Sequence, residues 1–254
     1  MSSRRDFIAQ VAALGLLAPG GAAARAASLI CVYGNDYAPW CWGEGSSAYG
    51  LAPALLAEFF GKVLGMHSAH QVLPWKRAQA EVEGGRADVL CTVPTPERRR
   101  YCHASQEPMY ATGARLFVSR ASRWRGELAQ VRERSALHAR KAVFASYLGG
   151  AWLGERVPRE QIRFAPDLEH CIKLLASGLA DAMLDNRLVL HHKIAHMGLQ
   201  EQIDEGQFDL DVIAYHLLLA RRSRNAGLIE RIDAELPVFR TSAIYADIVR
   251  RATR

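Results

Sequence analysis

The sequence predicts an α/β protein with a mostly parallel sheet. From residue 28 onward, short apolar segments suited to strands alternate with segments whose apolar residues recur at helical spacing. This alternation is typical of βαβ units, in which helices connect neighbouring parallel strands. A basic, polar stretch at 120–140 interrupts it. We therefore expect two successive α/β sets, each forming one lobe.

The first set contains strands expected at 29–33, 88–93 and 114–119, and another strand that ends at Val72-Leu73. A helix is expected at 50–64, where apolar residues recur every fourth position before a glycine. Pro74 suits the first position of a second helix, which ends at Gly84. Thr95 suits an N-cap and Pro96 the N1 position, so a third helix is expected to begin there.

The second set contains strands expected at 142–145, 162–164 and 180–184, and helices at 167–177 and 186–197. An apolar run at 209–220 is long enough to cross between the lobes. Two helices follow at 225–236 and 241–251, and Pro237 is expected to separate them.

Residues 1–27 have the pattern of a bacterial twin-arginine signal peptide. Arg4 and Arg5 precede a short apolar stretch, and a small-residue segment predicts cleavage near Ala26 or Ala27. A membrane anchor is the alternative, but the apolar stretch falls short of the about 20 residues that span a bilayer. We expect a soluble periplasmic protein of 227 residues, with the formal net charge lowered from +6 to +4.

The scattered basic residues exclude the charged stripe of a nucleic-acid-binding protein. We expect a monomer without a cofactor. The five cysteines allow two disulfides in an oxidising compartment. Cys91 with Cys102 is the favoured pair, whereas Cys31 and Cys171 suit buried apolar positions; Cys41 is the other candidate for a bridge.

Several short motifs occur in one order along the chain, and that order resembles the family 3 extracytoplasmic solute-binding proteins of ABC importers. This group includes receptors for polar amino acids. In the first set the motifs are Tyr37-Ala38-Pro39-Trp40, Leu73-Pro74-Trp75-Lys76-Arg77-Ala78, Gly85-x-x-Asp88, Thr95-Pro96-Glu97-Arg98 and Glu107-Pro108-Met109-Tyr110, and in the second set Gly178-Leu179-Ala180-Asp181-Ala182-Met183-Leu184-Asp185. The Leu-Pro-Trp-Lys-Arg-Ala motif indicates a divergent branch.

The resemblance implies a type II periplasmic-binding-protein-like fold, with two α/β lobes joined by two crossover strands around a ligand cleft. Lobe 1 would comprise 28–117 and 215–254, and lobe 2 would comprise 118–214. It also implies a binding protein rather than an enzyme. Such a protein closes its lobes on an amino acid or related carboxylate and delivers it to an ABC permease at the inner membrane.

Two charged residues are the main candidates for ligand contact. Arg98 is expected at a helix N-terminus, where an arginine fork suits a carboxylate, and it matches the arginine that holds the ligand carboxylate in the family. Asp185 matches the family acid that pairs with a ligand ammonium, with an N-cap role as its alternative. For Arg99 and Arg100 we expect exposed positions.

Aromatic residues supply flat apolar surfaces beside these charges. Tyr37, Trp40 and Trp75 are candidates for stacking on the ligand, and buried packing is the alternative for each. Arg77 is a candidate second anion contact, with a surface position as its alternative.

The chain departs from the family pattern at three places. Ser146-Tyr147-Leu148-Gly149-Gly150 replaces the usual glycine followed by threonine or serine, Ala104-Ser105-Gln106 replaces the usual Phe-Ser, and Pro53-Ala54 stands where an acidic residue is expected. The first departure falls where the family places the lobe 2 donor to the ligand carboxylate, so this contact is not carried over to the chain. The ligand need not be an amino acid.

Three other functions are open. A dehydratase-like enzyme on this scaffold would draw its acids from Glu44, His103, Glu107 and Asp185. A metal site would use His192 and His196, four residues apart, but a third ligand is not evident and no metal is expected. A ligand-sensing adaptor would hand its signal to a membrane partner.

Overall fold

A computed structural model describes residues 28–137, 141–147 and 157–253. The predicted signal peptide at 1–27, with its cleavage site, lies outside these ranges, as do Leu148, Gly149 and Gly150. No helix in the described ranges has the length and apolar character needed to cross a membrane.

The strands are β1 (Ser28–Gly34), β2 (Asp36–Tyr37), β3 (Cys41–Glu44), β4 (Ser47–Tyr49), β5 (His67–Leu73), β6 (Val89–Thr92), β7 (Cys102–Ala104), β8 (Tyr110–Ser119), β9 (Phe144–Tyr147), β10 (Ile162–Ala165), β11 (Ala182–Asn186) and β12 (Ile203–Ala220). The helices are α1 (Leu51–Glu58), α2 (Trp75–Glu83), α3 (Pro96–Tyr101), α4 (Arg125–Ala129), α5 (Leu168–Ala176), α6 (Arg187–His196), α7 (Ile229–Arg240) and α8 (Ala243–Ala252).

The long strand β12 joins two halves of the fold. The strand order in the described sheet is β10-β9-β11-β8-β12-β6-β1-β5, with β7 also beside β12. We call the part with β1, β5, β6 and β7 the first half, and the part with β9, β10 and β11 the second half. The last residues of β12 pair with β6, whereas 203–215 pair with β8. The expected lobe boundaries, after residues 117 and 214, fall inside β8 and β12.

Parallel pairing dominates within each half, as the alternation of strands and helices predicts. In the first half β1 pairs in parallel with β5 and β6, and in the second half β9 pairs in parallel with β10 and β11. In this large sheet the antiparallel pairs among the described strands all involve β8 or β12, which connect the halves. The fold is therefore α/β, and the predicted crossing strand at 209–220 is confirmed as the second part of β12.

A small sheet of β2, β3 and β4 lies between β1 and α1, where the sequence predicted no strand. Gly50 follows it with φ +115°, and the backbone N–H groups of Leu51 and Ala52 donate to the carbonyls of Pro39 and Trp40, each at 2.9 Å. This turn fixes the segment around Tyr37 against the start of α1. The Ala38–Pro39 peptide bond is cis.

The prediction about Pro237 is wrong, whereas the helix predicted at 50–64 is confirmed. Pro237 does not separate two helices but lies inside α7, and the break comes at Thr241 and Ser242. There the Ser242 hydroxyl accepts a hydrogen bond from the Tyr245 N–H and begins α8. The helix predicted at 50–64 is α-helical to Glu58 and continues as a π-helical turn at Phe59–Val63.

The favoured disulfide between Cys91 and Cys102 is also wrong. All five cysteines are buried free thiols. Cys91 in β6 and Cys102 in β7 lie on opposite sides of β12, opposite Leu217 and Ala220. Two strand spacings, about 10 Å, exceed the about 7 Å limit between the Cα atoms of a disulfide. Burial also raises the pKa of the Cys41 and Cys102 thiols to about 12, which keeps them protonated.

Candidate ligand-binding site

Arg98 is held at the start of α3. The Thr95 hydroxyl accepts a hydrogen bond from the Arg98 N–H at 3.3 Å, so the predicted cap is confirmed. The guanidinium Nε donates to Gln79 Oε1 at 3.0 Å, and Nη1 donates to the Val93 carbonyl at 2.9 Å. The guanidinium lies 5.1 Å from the centre of the Trp75 ring. Arg98 thus rests on neutral acceptors and an aromatic face.

The electrostatic surroundings of Arg98 favour an anion. Burial lowers the pKa of its guanidinium, which remains charged at any physiological pH. In the described part of the chain, no carboxylate forms a salt bridge with it. A half-buried guanidinium whose partners are neutral can still gain a charge-assisted hydrogen bond. Its neighbours Arg99 and Arg100 are exposed, as expected.

Trp75 and Arg77 begin α2 but have different surroundings. Trp75 is half-buried and lies beneath the Arg98 guanidinium, within reach of Gly34. The Arg77 side chain is 68% exposed and approaches Glu81 at 3.8 Å. The surface alternative therefore describes Arg77, whereas Trp75 belongs to the surroundings of Arg98.

Asp185 is fully buried near the end of β11, and both of its carboxylate oxygens accept hydrogen bonds from tyrosines. The Tyr37 hydroxyl donates to Oδ1 at 2.8 Å, and the Tyr147 hydroxyl donates to Oδ2 at 2.9 Å. The Asn186 N–H also donates to Oδ1, at 2.6 Å. Burial and then the charge of Asp185 raise the pKa values of both tyrosines well above 10. Both hydroxyls therefore stay protonated and remain donors.

Asn186, not Asp185, caps α6, so the N-cap alternative for Asp185 is wrong. Its amide oxygen accepts from the N–H groups of Leu188 at 2.9 Å and Val189 at 3.3 Å. Its amide nitrogen donates to the Tyr215 hydroxyl at 2.8 Å. These bonds engage both the oxygen and the nitrogen of the Asn186 amide and fix the backbone beside Asp185.

Trp40 packs in the core beside this network. Its indole is 3% exposed and stacks on Tyr215 with ring centres 4.1 Å apart, and on Tyr110 at 5.6 Å. Buried packing, the alternative to ligand contact, describes Trp40 in this structure. The stack links the Tyr37 segment to β8 and β12.

Three contacts of the small sheet reach the second half. The first is the Tyr37–Asp185 hydrogen bond described above. The second is an ion pair at 2.5 Å between Asp36 and the buried Lys193 of α6, whose ammonium is also 3.5 Å from Glu169. The third is a stack of Trp42 on His192, with ring centres 6.5 Å apart. We call these three the interlobe contacts.

Comparisons with a protein-family model and with solved structures agree on the fold of this chain. The model of bacterial extracellular solute-binding proteins, family 3, matches residues 29–252. The chain belongs to this family. Its members bind ligands, so a ligand-binding role and the two-lobed type II fold follow. No curated protein sequence matches the chain significantly.

Solved structures similar to this solute-binding protein share its fold at low identity. A histidine kinase sensor domain with similarity to periplasmic binding proteins has a TM-score of 0.72 at 19% identity, covering 90% of this chain and 96% of its own. The arginine-, lysine-, histidine-binding protein ArtJ of Geobacillus stearothermophilus has 0.69 at 15%, covering 89% and 95%. An ancestral amino-acid-binding protein, a precursor of cyclohexadienyl dehydratase, has 0.65 at 17%, covering 89% and 96%.

The acids of the enzyme alternative are dispersed in this family 3 protein. Glu107 forms a salt bridge with Arg240 at 3.0 Å, and His103 lies 3.3 Å from Arg221 Nη1. Glu44 is exposed in the small sheet. None of these three is hydrogen-bonded to Asp185 in the described part of the chain.

The histidine pair on α6 also lacks the partners of a metal site. The rings of His192 and His196 are parallel, with centres 6.4 Å apart. No group of three or more histidine, cysteine or acidic side chains is positioned to hold a metal within the described residues.

Sequence reasoning missed four polar residues of the site: Gln79, Tyr147, Asn186 and Tyr215. Gln79 directly follows Ala78, the last residue of the Leu-Pro-Trp-Lys-Arg-Ala motif, so its position beside the motif could have identified it. Tyr147 lies in the segment that departs from the family pattern. Asn186 precedes a helix, and asparagine is a preferred N-cap. Tyr215 lies in a continuous apolar run, which hides its hydroxyl.

Proposed function

We propose that this family 3 protein captures a small, carboxylate-bearing organic ligand in the periplasm and presents it to the permease of an ABC importer. The ligand would lie between the two halves, which close on it. The environment of Arg98 carries the proposal. Its half-buried guanidinium donates to neutral acceptors and lies over an aromatic ring.

The geometry of Arg98 suits a carboxylate better than a neutral ligand. Gln79 and Val93 use two of its five N–H donors, and they hold the plane of the fork over Trp75. A carboxylate can accept two parallel hydrogen bonds from such a fork. Since the fork is already oriented, less side-chain entropy is lost on binding.

The role of the two halves follows from the fold. β8 and β12 join them, and a rotation at these strands would open or close the space between the halves. A ligand that contacts both halves stabilises the closed form by its differential affinity for that form. The closed form would then be the one that a permease recognises.

The experiment is a thermal-shift screen of the ligand-free protein without residues 1–27, against amino acids, small carboxylates and amines. A ligand at about 100 times its Kd should raise the free energy of unfolding by about 2.7 kcal/mol. We expect Arg98→Ala to abolish the shift, Arg98→Lys to restore part of it, and Arg100→Ala to leave it unchanged. Arg100 is the matched control because it is an exposed arginine in the same helix.

Equal shifts in the wild type and Arg98→Ala would refute the Arg98 contact. No shift with any compound would refute the carboxylate ligand. Turnover of a cyclic carboxylic acid, followed by loss of substrate absorbance, would instead support the dehydratase alternative. We expect no turnover because the candidate acids are dispersed. Delivery to a permease is tested by ligand uptake into proteoliposomes that contain the permease, which a sensory adaptor would not stimulate.

A further inference from the structure

We propose that the preferred ligand is a carboxylate without a primary ammonium group, because Asp185 serves as an internal acceptor for two tyrosines. This inference rests on the proposed function and concerns the same cleft. The resemblance to the family assigns Asp185 to a ligand ammonium. In this chain the contacts of Asp185 point to a different role.

The first step is the donor set of Asp185. Two phenol hydroxyls and one backbone N–H donate to its oxygens at 2.6–2.9 Å, and the residue is fully buried. A buried carboxylate needs such donors because burial otherwise disfavours its charge. The tyrosines supply what a ligand ammonium would supply elsewhere.

The second step is the consequence of displacement. An ammonium that took the place of Tyr37 or Tyr147 on Asp185 would displace that hydroxyl from its carboxylate oxygen. The displaced hydroxyl would then be a buried polar group in need of a new acceptor. Binding of an amine-bearing ligand to Asp185 is therefore weakened by the loss of a tyrosine–carboxylate hydrogen bond. A deaminated ligand does not cause this loss.

The third step is the rigidity behind Asp185. Asn186 is fixed by its bonds to α6 and to Tyr215, and Tyr215 is stacked on Trp40. Asp185 thus cannot easily turn away from the tyrosines toward a ligand. Lys193 is likewise engaged with Asp36 and Glu169.

The partners of Arg98 and Asp185 agree with a preference for a carboxylate that lacks an ammonium group. Arg98 has no salt-bridge partner in the described part of the chain, whereas Asp185 is already surrounded by donors. Arg98 therefore keeps N–H donors for an anionic ligand, whereas the oxygens of Asp185 already accept hydrogen bonds from Tyr37, Tyr147 and the Asn186 N–H. A carboxylic acid with a hydroxyl, carbonyl oxygen or hydrogen at the α position fits this arrangement. A zwitterionic amino acid does not.

The test measures affinities by calorimetry for matched series: an amino acid and the 2-oxo, 2-hydroxy and unsubstituted acids with the same side chain. We use acidic, aliphatic and aromatic side chains, because the side chain is unknown. In the series that binds, the wild type should bind a deaminated acid at least tenfold more tightly than the amino acid.

Tyr147→Phe provides the second arm, because it removes one hydrogen-bond donor from Asp185 and keeps the ring. We expect it to bring the ratio of the two affinities at least fivefold toward the amino acid. Tyr49→Phe is the matched control, since Tyr49 is 55% exposed and lies in the small sheet. Circular dichroism and melting temperature establish that each variant is folded.

Three outcomes separate this inference from the proposed function. Tighter binding of the amino acid, lost more than tenfold in Asp185→Asn, would overturn the inference and leave the carboxylate receptor intact. Preference for the deaminated acid that Tyr147→Phe weakens would support it. No Arg98-dependent binding in any series would overturn the proposed function and the inference with it.

Discussion

Gly50 shows how one residue positions the Tyr37 segment. A Cβ atom at this position would lie 2.6 Å from the Trp40 carbonyl oxygen and 2.8 Å from that of Pro39, and its φ of +115° strains any L side chain. Both carbonyls accept hydrogen bonds from the start of α1. The close approach therefore needs glycine, and the geometry of the site depends on it.

We expect Gly50→Ala to lower the free energy of unfolding by about 3 kcal/mol, from backbone strain and overlap with two carbonyls. Gly61→Ala is the control, because a Cβ atom there meets nothing within 4 Å. Its effect should stay within about 1 kcal/mol. Urea unfolding of both variants measures the difference, and similar values for the two would contradict the role of the turn.

At the scale of elements, each half contains the same short device. Gly85-Arg86-Ala87-Asp88 follows α2, and Gly178-Leu179-Ala180-Asp181 follows α5. Gly85 and Gly178 have positive φ, +74° and +72°. Each aspartate accepts a backbone N–H at 2.7 Å, Asp88 from Ile30 in β1 and Asp181 from Val143 directly before β9. A serine hydroxyl completes each, from Ser223 and Ser122. The two carboxylates thus tie a helix end to the first strand of each half.

A second feature at this scale is the group of ion pairs between β8, the segment after it and β12. Arg120 and Arg125 both donate to Asp204, and Arg115 contacts Glu205 and Asp209, each at 2.8 Å. Burial alone would raise the pKa of Asp204, but the hydrogen bonds from Arg125 and Arg120 outweigh it and hold the pKa below its ordinary value.

This lowered pKa makes stability depend on pH. A carboxyl whose pKa is lower in the folded state stabilises the fold above its unfolded pKa, about 3.9, and the contribution is lost as the pH falls through the folded value. We expect Asp204→Asn to flatten the decrease in unfolding free energy between pH 5 and pH 3, measured with urea. Glu201→Gln is the control because Glu201 is 86% exposed. An unchanged slope in Asp204→Asn would contradict this assignment.

At the scale of the molecule, we expect the interlobe contacts to bias the two halves toward the arrangement in which these contacts form. The Asp36–Lys193 pair can be removed without deleting a hydrogen-bond donor of Asp185. Lys193 keeps Glu169 as a partner within its own half when Asp36 is lost. The variant therefore leaves no unpaired buried cation.

We expect Asp36→Ala to raise the open-to-closed ratio of the ligand-free protein about two- to fivefold, since a partly exposed ion pair contributes about 0.5–1 kcal/mol. The substitutions Glu83→Cys and Gln200→Cys allow one spin label to be attached to each half. Double electron–electron resonance then measures the distribution of distances between the two labels. The native thiols are buried and do not compete for the label. Glu44→Ala, an exposed acid in the same small sheet, is the control; equal distributions in both variants would exclude the pair as a determinant of closure.

Local patterns in the sequence predicted much of the fold. Strands buried on both faces, helices with glycine ends and the cap at Thr95 are each encoded within a few residues. The small sheet at 36–49 escaped prediction because its pairing depends on turns at glycines. The disulfide prediction failed because the side of β12 on which Cys102 lies is a property of sheet order, which local spacing does not contain.

The site was predicted less completely than the fold. Arg98 could be placed because its cap and motif are local. The meeting of Tyr37, Tyr147 and Asp185 could not, because these residues are 148 and 38 positions apart and no periodicity links them. Trp40 and Trp75 have the same residue type, and packing alone distinguishes the buried ring from the ring beneath Arg98.

The stack of Trp42 on His192 gives the molecule an optical signal of its own. Indole emission responds to the packing of the ring and to a neighbouring imidazolium, and this contact joins an exposed edge of one half to α6 of the other. Burial, His196 and Lys193 lower the pKa of His192. At neutral pH the ring is therefore a neutral imidazole, which quenches indole emission less than an imidazolium does. Opening of the halves should therefore change the fluorescence of Trp42, and Trp42→Phe should remove that change. Closure can then be followed in real time without any attached dye.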